Sequence, residues 1–213
     1  MSDIIGIMGG TFNPVHYGHL IAAEEALNFL NMEKILFIPN SIPPHKHDPE
    51  LISGEYRLEM LKLATASNPK FEVSDIELKR SGPSYSIDTV EELISIHKDK
   101  SFVFITGLDA VLNCEWHRFD ELLEKLTYFL TIERSGLSFE SLEKKMKPLK
   151  NRDKILFLSI PGVNISSTDI RFRVEEGKSI RYLVPDEVAD YIYKNKFYTK
   201  NKEESNSPYV GVR

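Results

Sequence analysis

Short apolar runs alternate along the chain with stretches of helical periodicity. The runs are rich in β-branched and aromatic residues, which favours strands, and they lie at Ile4–Met8, Ile35–Ile38, Phe71–Val73, Phe102–Thr106, Thr127–Ile132 and Ile155–Leu158. Helical spacing of apolar residues between them predicts helices through Leu20, Ala23, Leu27 and Leu30, through Ile87, Val90 and Ile94, and at Asp186–Asn195. This alternation predicts an α/β fold, with a Rossmann-like, mostly parallel sheet and helices on both faces.

Two stretches depart from this pattern. Pro39–Ser53 contains four prolines and no periodicity, and a loop of about 15 residues in a compact domain is usually functional or disordered. The polar segment after the last helix has no apolar face to bury. We therefore expect one domain over residues 1–199 and a disordered tail over residues 200–213.

Composition and charge narrow the class of protein. The chain has 213 residues and a net charge of −5, so it lacks the overall positive charge typical of proteins that coat nucleic acids. The single Cys114 excludes an intrachain disulfide and a cysteine-rich zinc module. No basic leader and no apolar run of about 20 residues is present, which favours a cytoplasmic protein without membrane contact. The sequence leaves homo-oligomers possible.

The strongest candidate for chemistry is the segment that begins at Gly9 and Gly10 and ends at Leu20. It follows the first predicted strand and opens the first helix, where glycines and unpaired N–H groups favour a bound phosphate. It has neither the Gly-Lys-Ser/Thr of a Walker loop nor the Gly-x-Gly-x-x-Gly of dinucleotide folds. His16 and His19 lie three residues apart, so that both rings can face one anion.

The two histidines could instead form a zinc pair or be ordinary surface side chains. A zinc pair lacks an obvious third ligand nearby, and ordinary surface histidines would leave the surrounding glycines unexplained. We predict no metal ligands in the protein itself.

Five strings together carry a resemblance to a known family. They are Gly-Gly-Thr-Phe-Asn-Pro followed by His16-x-Gly-His19, Pro43-Pro-His-Lys46, Ser84-Tyr-Ser-Ile-Asp-Thr89, Gly107-Leu-Asp109 with Trp116, and Ile165-Ser-Ser-Thr-Asp-Ile-Arg171. In this order they resemble the HxGH nucleotidyltransferases, and among these the nicotinate-nucleotide adenylyltransferases, over about residues 3–198. The chain departs from the usual pattern at Asn13, where the family has Asp, at Ser86, where it has Thr, and at Arg134-Ser-Gly136, where Arg-Pro-Gly is commoner.

The resemblance implies that a phosphate oxygen of nicotinate mononucleotide attacks the α-phosphorus of ATP, with Mg²⁺ accompanying the ATP, and that pyrophosphate leaves. It implies catalytic roles for His16, His19 and Arg171. The implied ATP-binding residues are Gly9, Gly10, Thr11, Phe12, His16, His19, Gly107, Asp109, Arg134, Ser166, Ser167, Thr168 and Arg171. The nucleophile is already an anion, so positioning and charge stabilisation do most of the work.

For the acceptor, the resemblance implies contacts with Lys46, Ser84, Tyr85, Ser86, Asp109 and Trp116. A pyridinium ring stacks well on indole, and the turn before the Ile87 helix offers N–H groups to a carboxylate. Each assignment has a structural alternative: a helix cap for Ser166–Thr168, a solvated lysine for Lys46, an ion pair for Arg134 and a core side chain for Trp116. His97 and His117 are given no role.

Other functions remain open at this stage. A related enzyme could take nicotinamide mononucleotide, or both mononucleotides, as the acceptor. Phosphopantetheine enzymes of the superfamily are shorter and lack the Pro-Pro-His-Lys and Ser-Tyr-Ser strings. A non-catalytic nucleotide sensor on the same fold should have lost one of the phosphate-contacting residues, and this chain retains both histidines, Ser166–Thr168 and Arg171.

Overall fold

The computed structural model describes residues 3–42, 50–133, 139–162 and 164–200. Six strands occupy Ile4–Gly10 (β1), Lys34–Pro39 (β2), Phe71–Val73 (β3), Ser101–Gly107 (β4), Tyr128–Glu133 (β5) and Ile155–Ser159 (β6). Eight helices occupy Tyr17–Phe29 (α1), Gly54–Thr65 (α2), Ser86–Ile96 (α3), Leu108–Asn113 (α4), Phe119–Lys125 (α5), Phe139–Met146 (α6), Ser167–Glu175 (α7) and Asp186–Asn195 (α8), a count that covers these described ranges alone. The predicted strands and the last helix are confirmed to within two residues.

The six strands form one sheet in the order β3-β2-β1-β4-β5-β6, and every neighbouring pair is parallel. The mostly parallel α/β sheet predicted from the sequence is thus confirmed. The strands β2 and β3 follow β1 on one side of it. The chain then crosses back, so that β4 pairs with the other edge of β1, and β5 and β6 follow on that side. Ligands of such sheets bind at this point of reversal, beyond the carboxyl ends of the strands.

Helices cover both faces of the sheet because the strand side chains alternate between two cores. Ile7 and Phe104 point to one face, which α3, α4, α5 and α6 cover. Met8 and Ile105 point to the other face, which α1, α2, α7 and α8 cover. Within the described ranges, no helix has both the length and the apolar character required to cross a bilayer.

Candidate active site

A cavity of about 570 Å³ lies at the carboxyl ends of β1 and β4, where the order of the strands reverses. This volume is typical of small-molecule sites. Its walls come from the β1–α1 loop, the β4–α4 loop, the start of α3, the Trp116 loop and the start of α7.

The structure brings together every predicted site residue that it describes. The residues lining the cavity are Gly9, Gly10, Thr11, Phe12, His16, His19, Ser84, Tyr85, Ser86, Gly107, Asp109, Trp116, Ser166, Ser167, Thr168 and Arg171. Lys46 and Arg134, also predicted to bind substrates, lie outside the described residues, as do residues 201–213 of the predicted tail.

His16 and His19 stack face to face at the start of α1, with ring centroids 3.7 Å apart. His16 is only 2% exposed, which overturns the interpretation of an ordinary surface histidine. The backbone N–H of His16 donates to Nδ1 of His19 at 3.3 Å. Because Nδ1 accepts this hydrogen bond, the proton of the neutral His19 ring lies on Nε2, where it can be donated to a phosphate oxygen.

Phe12 packs against His19 of the histidine pair. Its ring lies edge-on to His19, with centroids 5.0 Å apart, and it also packs against Phe37 of β2. The backbone at Phe12 has a φ of 48°, in the left-handed region, so that the chain turns sharply between β1 and α1. We conclude that Phe12 shapes the loop by packing, while the neighbouring glycines leave the backbone accessible.

The hydroxyl groups of Ser166 and Ser167 already have partners. Ser166 caps α7, its Oγ accepting the Asp169 N–H at 3.1 Å, so the helix-cap interpretation holds for this side chain. Ser167 Oγ donates to the carbonyl of Pro14 at 2.8 Å and ties α7 to the β1–α1 loop. What remains for a phosphate here is the Thr168 hydroxyl and the first backbone N–H groups of α7.

Arg171 lies one turn into α7 and reaches back to the β1–α1 loop. Its Nη1 donates to the carbonyl of Asn13 at 3.0 Å, and its Nε lies 2.7 Å from Oε2 of Glu50. Asn13 is 1% exposed and uses both ends of its amide: Nδ2 donates to the Glu50 carbonyl at 3.1 Å, and Oδ1 accepts the hydroxyl of Tyr198 at 2.8 Å. An Asp at this position would lack the amide donor, so the Asn that distinguishes this chain has a structural use.

The turn before α3 offers fewer donors than its sequence suggests. The Ser84 N–H is used by the carbonyl of Ile42 at 3.0 Å, and Ser84 Oγ accepts the N–H of Ser41 at 2.9 Å. Tyr85 is the N-cap residue of α3 and caps it with no side-chain hydrogen bond, and Ser86 is the first residue of the helix. The N–H groups of Tyr85 and Ser86 have no partner among the described residues, and both residues line the cavity.

Trp116 is half-buried, and it is both a core side chain and part of the cavity wall. It packs edge-on against Phe104 and Phe129, at 5.7 and 5.1 Å between ring centroids, and therefore belongs partly to the core. It also lines the cavity, as does His117, whose ring packs against Tyr85 at 4.4 Å. These aromatic rings form one wall of the cavity beside the open N–H groups of α3.

Gly107 and Asp109 lie close together where β4 ends and α4 begins. A Cβ atom on Gly107 would overlap the carboxylate of Asp109. Asp109 is exposed at the cavity wall, and its carboxylate can accept hydrogen bonds from a ligand's hydroxyl groups.

Two buried charges next to the cavity were not found by sequence analysis. Arg57 of α2 is 1% exposed, and its guanidinium donates to the carbonyl groups of Thr11, Asn40, Ser41 and Ile52 and to the side chain of Asn40. Burial lowers the pKa of Arg57. Glu77 is 7% exposed and lines the cavity; burial raises the pKa of its carboxyl, and hydrogen bonds from Thr89 and Ser84 act in the opposite direction. For Glu77 the sequence did contain a signal: Arg80 follows three residues later and can supply the positive charge that a buried carboxylate needs.

Comparison with known proteins agrees with this geometry. The family model described as cytidylyltransferase-like matches residues 7–173. A protein of Geobacillus thermodenitrificans named as a probable nicotinate-nucleotide adenylyltransferase is 46% identical over 195 residues, which are 91% of this chain and 85% of that protein. A protein of Moorella thermoacetica with the same name is 43% identical over 198 residues, 91% of each chain.

Among solved structures, the Plasmodium falciparum nicotinic acid mononucleotide adenylyltransferase complexed with NaAD has a TM-score of 0.76 at 22% identity. The match covers 92% of this chain and 97% of that one, and at this identity it supports the fold. The two sequence matches, at 46% and 43% identity over 91% of this chain, identify the family as well as the fold. The chain belongs to the cytidylyltransferase-like family, and within it to the nicotinate-nucleotide adenylyltransferases.

Proposed function

We propose that this protein is an adenylyltransferase that joins the AMP part of ATP to nicotinate mononucleotide, giving deamido-NAD and pyrophosphate. One observation carries the proposal. A single cavity places two helix starts with phosphate-binding character, at His16–His19 and Ser166–Arg171, opposite a third helix start that is uncapped and stands beside Trp116. The relatives' shared name supports the same activity.

The first two helix starts suit the triphosphate of ATP. His19 Nε2, the Thr168 hydroxyl, the first N–H groups of α7 and the Arg171 guanidinium are all donors, and charge builds up on phosphoryl oxygens as the pyrophosphate leaves. Donors that are fixed before the reaction stabilise this charge without reorganisation. Because the attacking phosphate is already an anion, no residue has to remove a proton from it.

The third helix start suits the nicotinate. The carboxylate of this ring can accept the N–H groups of Tyr85 and Ser86, while the ring lies against the Trp116 wall. A carboxamide would direct its NH₂ group at one of these donors. A site made of donors therefore favours the acid over the amide.

Mg²⁺ would enter with ATP, held chiefly by phosphate oxygens and water. Within the described ranges, no group of three His, Cys, Asp or Glu side chains is arranged to hold a metal ion. The chain's own groups in the triphosphate half are donors, which would bind phosphate oxygens rather than a cation. The ion would neutralise part of the triphosphate charge.

The test is a pyrophosphate-release assay with purified protein, ATP and Mg²⁺, in which nicotinate mononucleotide, nicotinamide mononucleotide and phosphopantetheine are supplied separately. We expect release with nicotinate mononucleotide and a product with the mass of deamido-NAD. Equal kcat/KM for acid and amide would point to a dual-specificity enzyme. Binding of ATP without release for any acceptor would contradict the proposal.

A further inference from the structure

The carboxylate of Glu77 is buried beside the acceptor turn, which we define as the residues from Ser84 to Thr89 that lead into α3. Thr89, in the second turn of α3, donates its hydroxyl to Glu77 Oε1 at 2.6 Å. Ser84, at the other end of the turn, accepts the N–H of Ser41 through Oγ at 2.9 Å, and its side chain lies close enough to Glu77 to lower the pKa of that carboxyl. The open N–H groups of Tyr85 and Ser86 lie between these two attachment points.

The directions of the hydrogen bonds around Glu77 are fixed by its neighbours. Arg80 Nη2 donates to Thr89 Oγ1 at 2.6 Å, so the hydroxyl hydrogen of Thr89 is left for its acceptors, of which Glu77 Oε1 at 2.6 Å is much closer than the Tyr85 carbonyl at 3.4 Å. Ser84 Oγ accepts the N–H of Ser41, so its own hydroxyl hydrogen can turn toward Glu77. A carboxylate, which only accepts, matches two incoming O–H groups, whereas a neutral amide matches one of them.

Contacts that do not include Glu77 join the acceptor turn to the rest of the site. Ser41 and Asn40, whose carbonyl groups bind Arg57, connect the turn to Thr11 of the β1–α1 loop. Arg57 and Arg80 provide the positive charge that a buried carboxylate requires. The cavity wall at the nicotinate end is thus held by a connected set of buried polar groups.

We propose that Glu77 is a positioning residue for the acceptor: by holding Thr89 in α3, it aims the N–H groups of Tyr85 and Ser86 at the carboxylate of the mononucleotide. This inference rests on the proposed function. It locates the effect of Glu77 in the acceptor half of the cavity. The triphosphate half, formed by the starts of α1 and α7, holds its shape through other contacts.

The experiment compares steady-state kinetics of the wild type with Glu77→Ala, Glu77→Gln and Thr89→Val, with KM measured separately for each substrate. For Glu77→Ala we expect KM for nicotinate mononucleotide to rise about tenfold or more and the acid-over-amide preference to narrow, because small misplacements of binding groups have effects of this size. KM for ATP should change less than about twofold. Glu77→Gln should recover part of the loss, since its carbonyl still accepts one hydroxyl.

Glu72→Ala provides a matched control. Glu72 lies on β3 in the same segment but pairs with Lys34 at the surface, outside the cavity, so both KM values should stay unchanged. Melting temperatures of all variants are measured in parallel. If Glu77→Ala does not fold, Thr89→Val, which removes one hydroxyl and retains the carboxylate, should still raise KM for the mononucleotide alone.

The outcomes separate the two proposals. An inactive wild type would overturn the proposed function. An active wild type in which Glu77→Ala, or Thr89→Val in its place, raises both KM values equally, or leaves both unchanged, would overturn the positioning role of Glu77 and leave the proposed function standing.

Discussion

Nε of Arg171 lies 2.7 Å from Oε2 of Glu50, so the arginine that we propose for binding the triphosphate already holds a carboxylate. Glu50 is largely exposed, whereas Arg171 is almost entirely covered. A phosphate that binds Arg171 must compete with Glu50 for the guanidinium.

We therefore predict that Glu50→Gln lowers KM for ATP. Because the Glu50 carboxylate is largely exposed to water, its competition with a phosphate is weak, and the expected decrease in KM is about two- to fivefold, with kcat nearly unchanged. Steady-state kinetics at low and moderate salt provide the measurement, and the effect should shrink as salt rises. Glu55→Gln, at an exposed position in the first turn of α2, is the control for removing one acidic side chain. An unchanged or higher KM for ATP in Glu50→Gln alone would show that Glu50 does not compete.

We predict that His19→Ala lowers kcat by about 100-fold or more while the fold survives. The reason is that Nε2 carries the proton of the neutral His19 ring, and its contact with phosphate should strengthen in the transition state. Kinetics and a thermal melt followed by circular dichroism are measured on the same preparation. A variant that keeps more than a tenth of kcat would remove His19 from the chemistry, and an unfolded one would assign it a packing role through Phe12 and His16.

A third prediction concerns Ser86, whose N–H is one of the two open donors. Ser86→Pro should reduce the preference for acid over amide by about ten- to a hundredfold, since one hydrogen bond to a charged group is lost. The helix should tolerate the change, because Ser86 is its first residue and Tyr85 has extended backbone, with a φ of −89° and a ψ of 133°.

Ser86→Ala is the control, because it removes the hydroxyl and retains the N–H. It should keep the preference of the wild type. A loss of preference in Ser86→Ala equal to that in Ser86→Pro would assign recognition to the hydroxyl and contradict the role of the backbone donor.

The raised pKa of Glu77 gives a prediction about stability and pH. The folded protein binds this proton more tightly than the unfolded chain, whose carboxyl has its ordinary pKa of 4.5. The free energy of unfolding should therefore decrease, relative to Glu77→Gln, as pH rises from about 4.5 through the raised pKa. Urea unfolding of both proteins at several pH values measures this difference. A difference that does not vary with pH would show that Glu77 titrates normally.

Sequence patterns predicted the sheet well because its strands are short apolar runs with clear ends. They also located the cavity, since the motifs with Gly9, Ser84, Gly107 and Ser166 follow strands or open helices whose ends meet at one edge of a parallel sheet. The resemblance to a family then supplied the roles.

Three features of the site could not be read from the sequence because each depends on a distant partner. Helix α2 was missed, and with it Arg57, whose burial follows from carbonyl groups on two separate loops. The sequence predicts that the Ser84 N–H is open to a ligand, whereas in the structure the carbonyl of Ile42, 42 residues earlier, accepts it. Asn13 had no assignable use because its amide binds Tyr198 and Glu50, 185 and 37 residues away along the chain.

The hydrogen bond between Tyr198 and Asn13 also affects the order in which the protein can assemble during synthesis. A ribosome that adds 5–20 residues per second needs about 10 to 40 seconds to reach Tyr198 after Asn13 has been made. During that interval the β1–α1 loop lacks Tyr198, and it lacks Ser167 and Arg171 for most of it. The nascent chain therefore emerges with an incomplete β1–α1 loop, and the triphosphate site that we propose there gains its contact with Tyr198 only after α8 has left the exit tunnel.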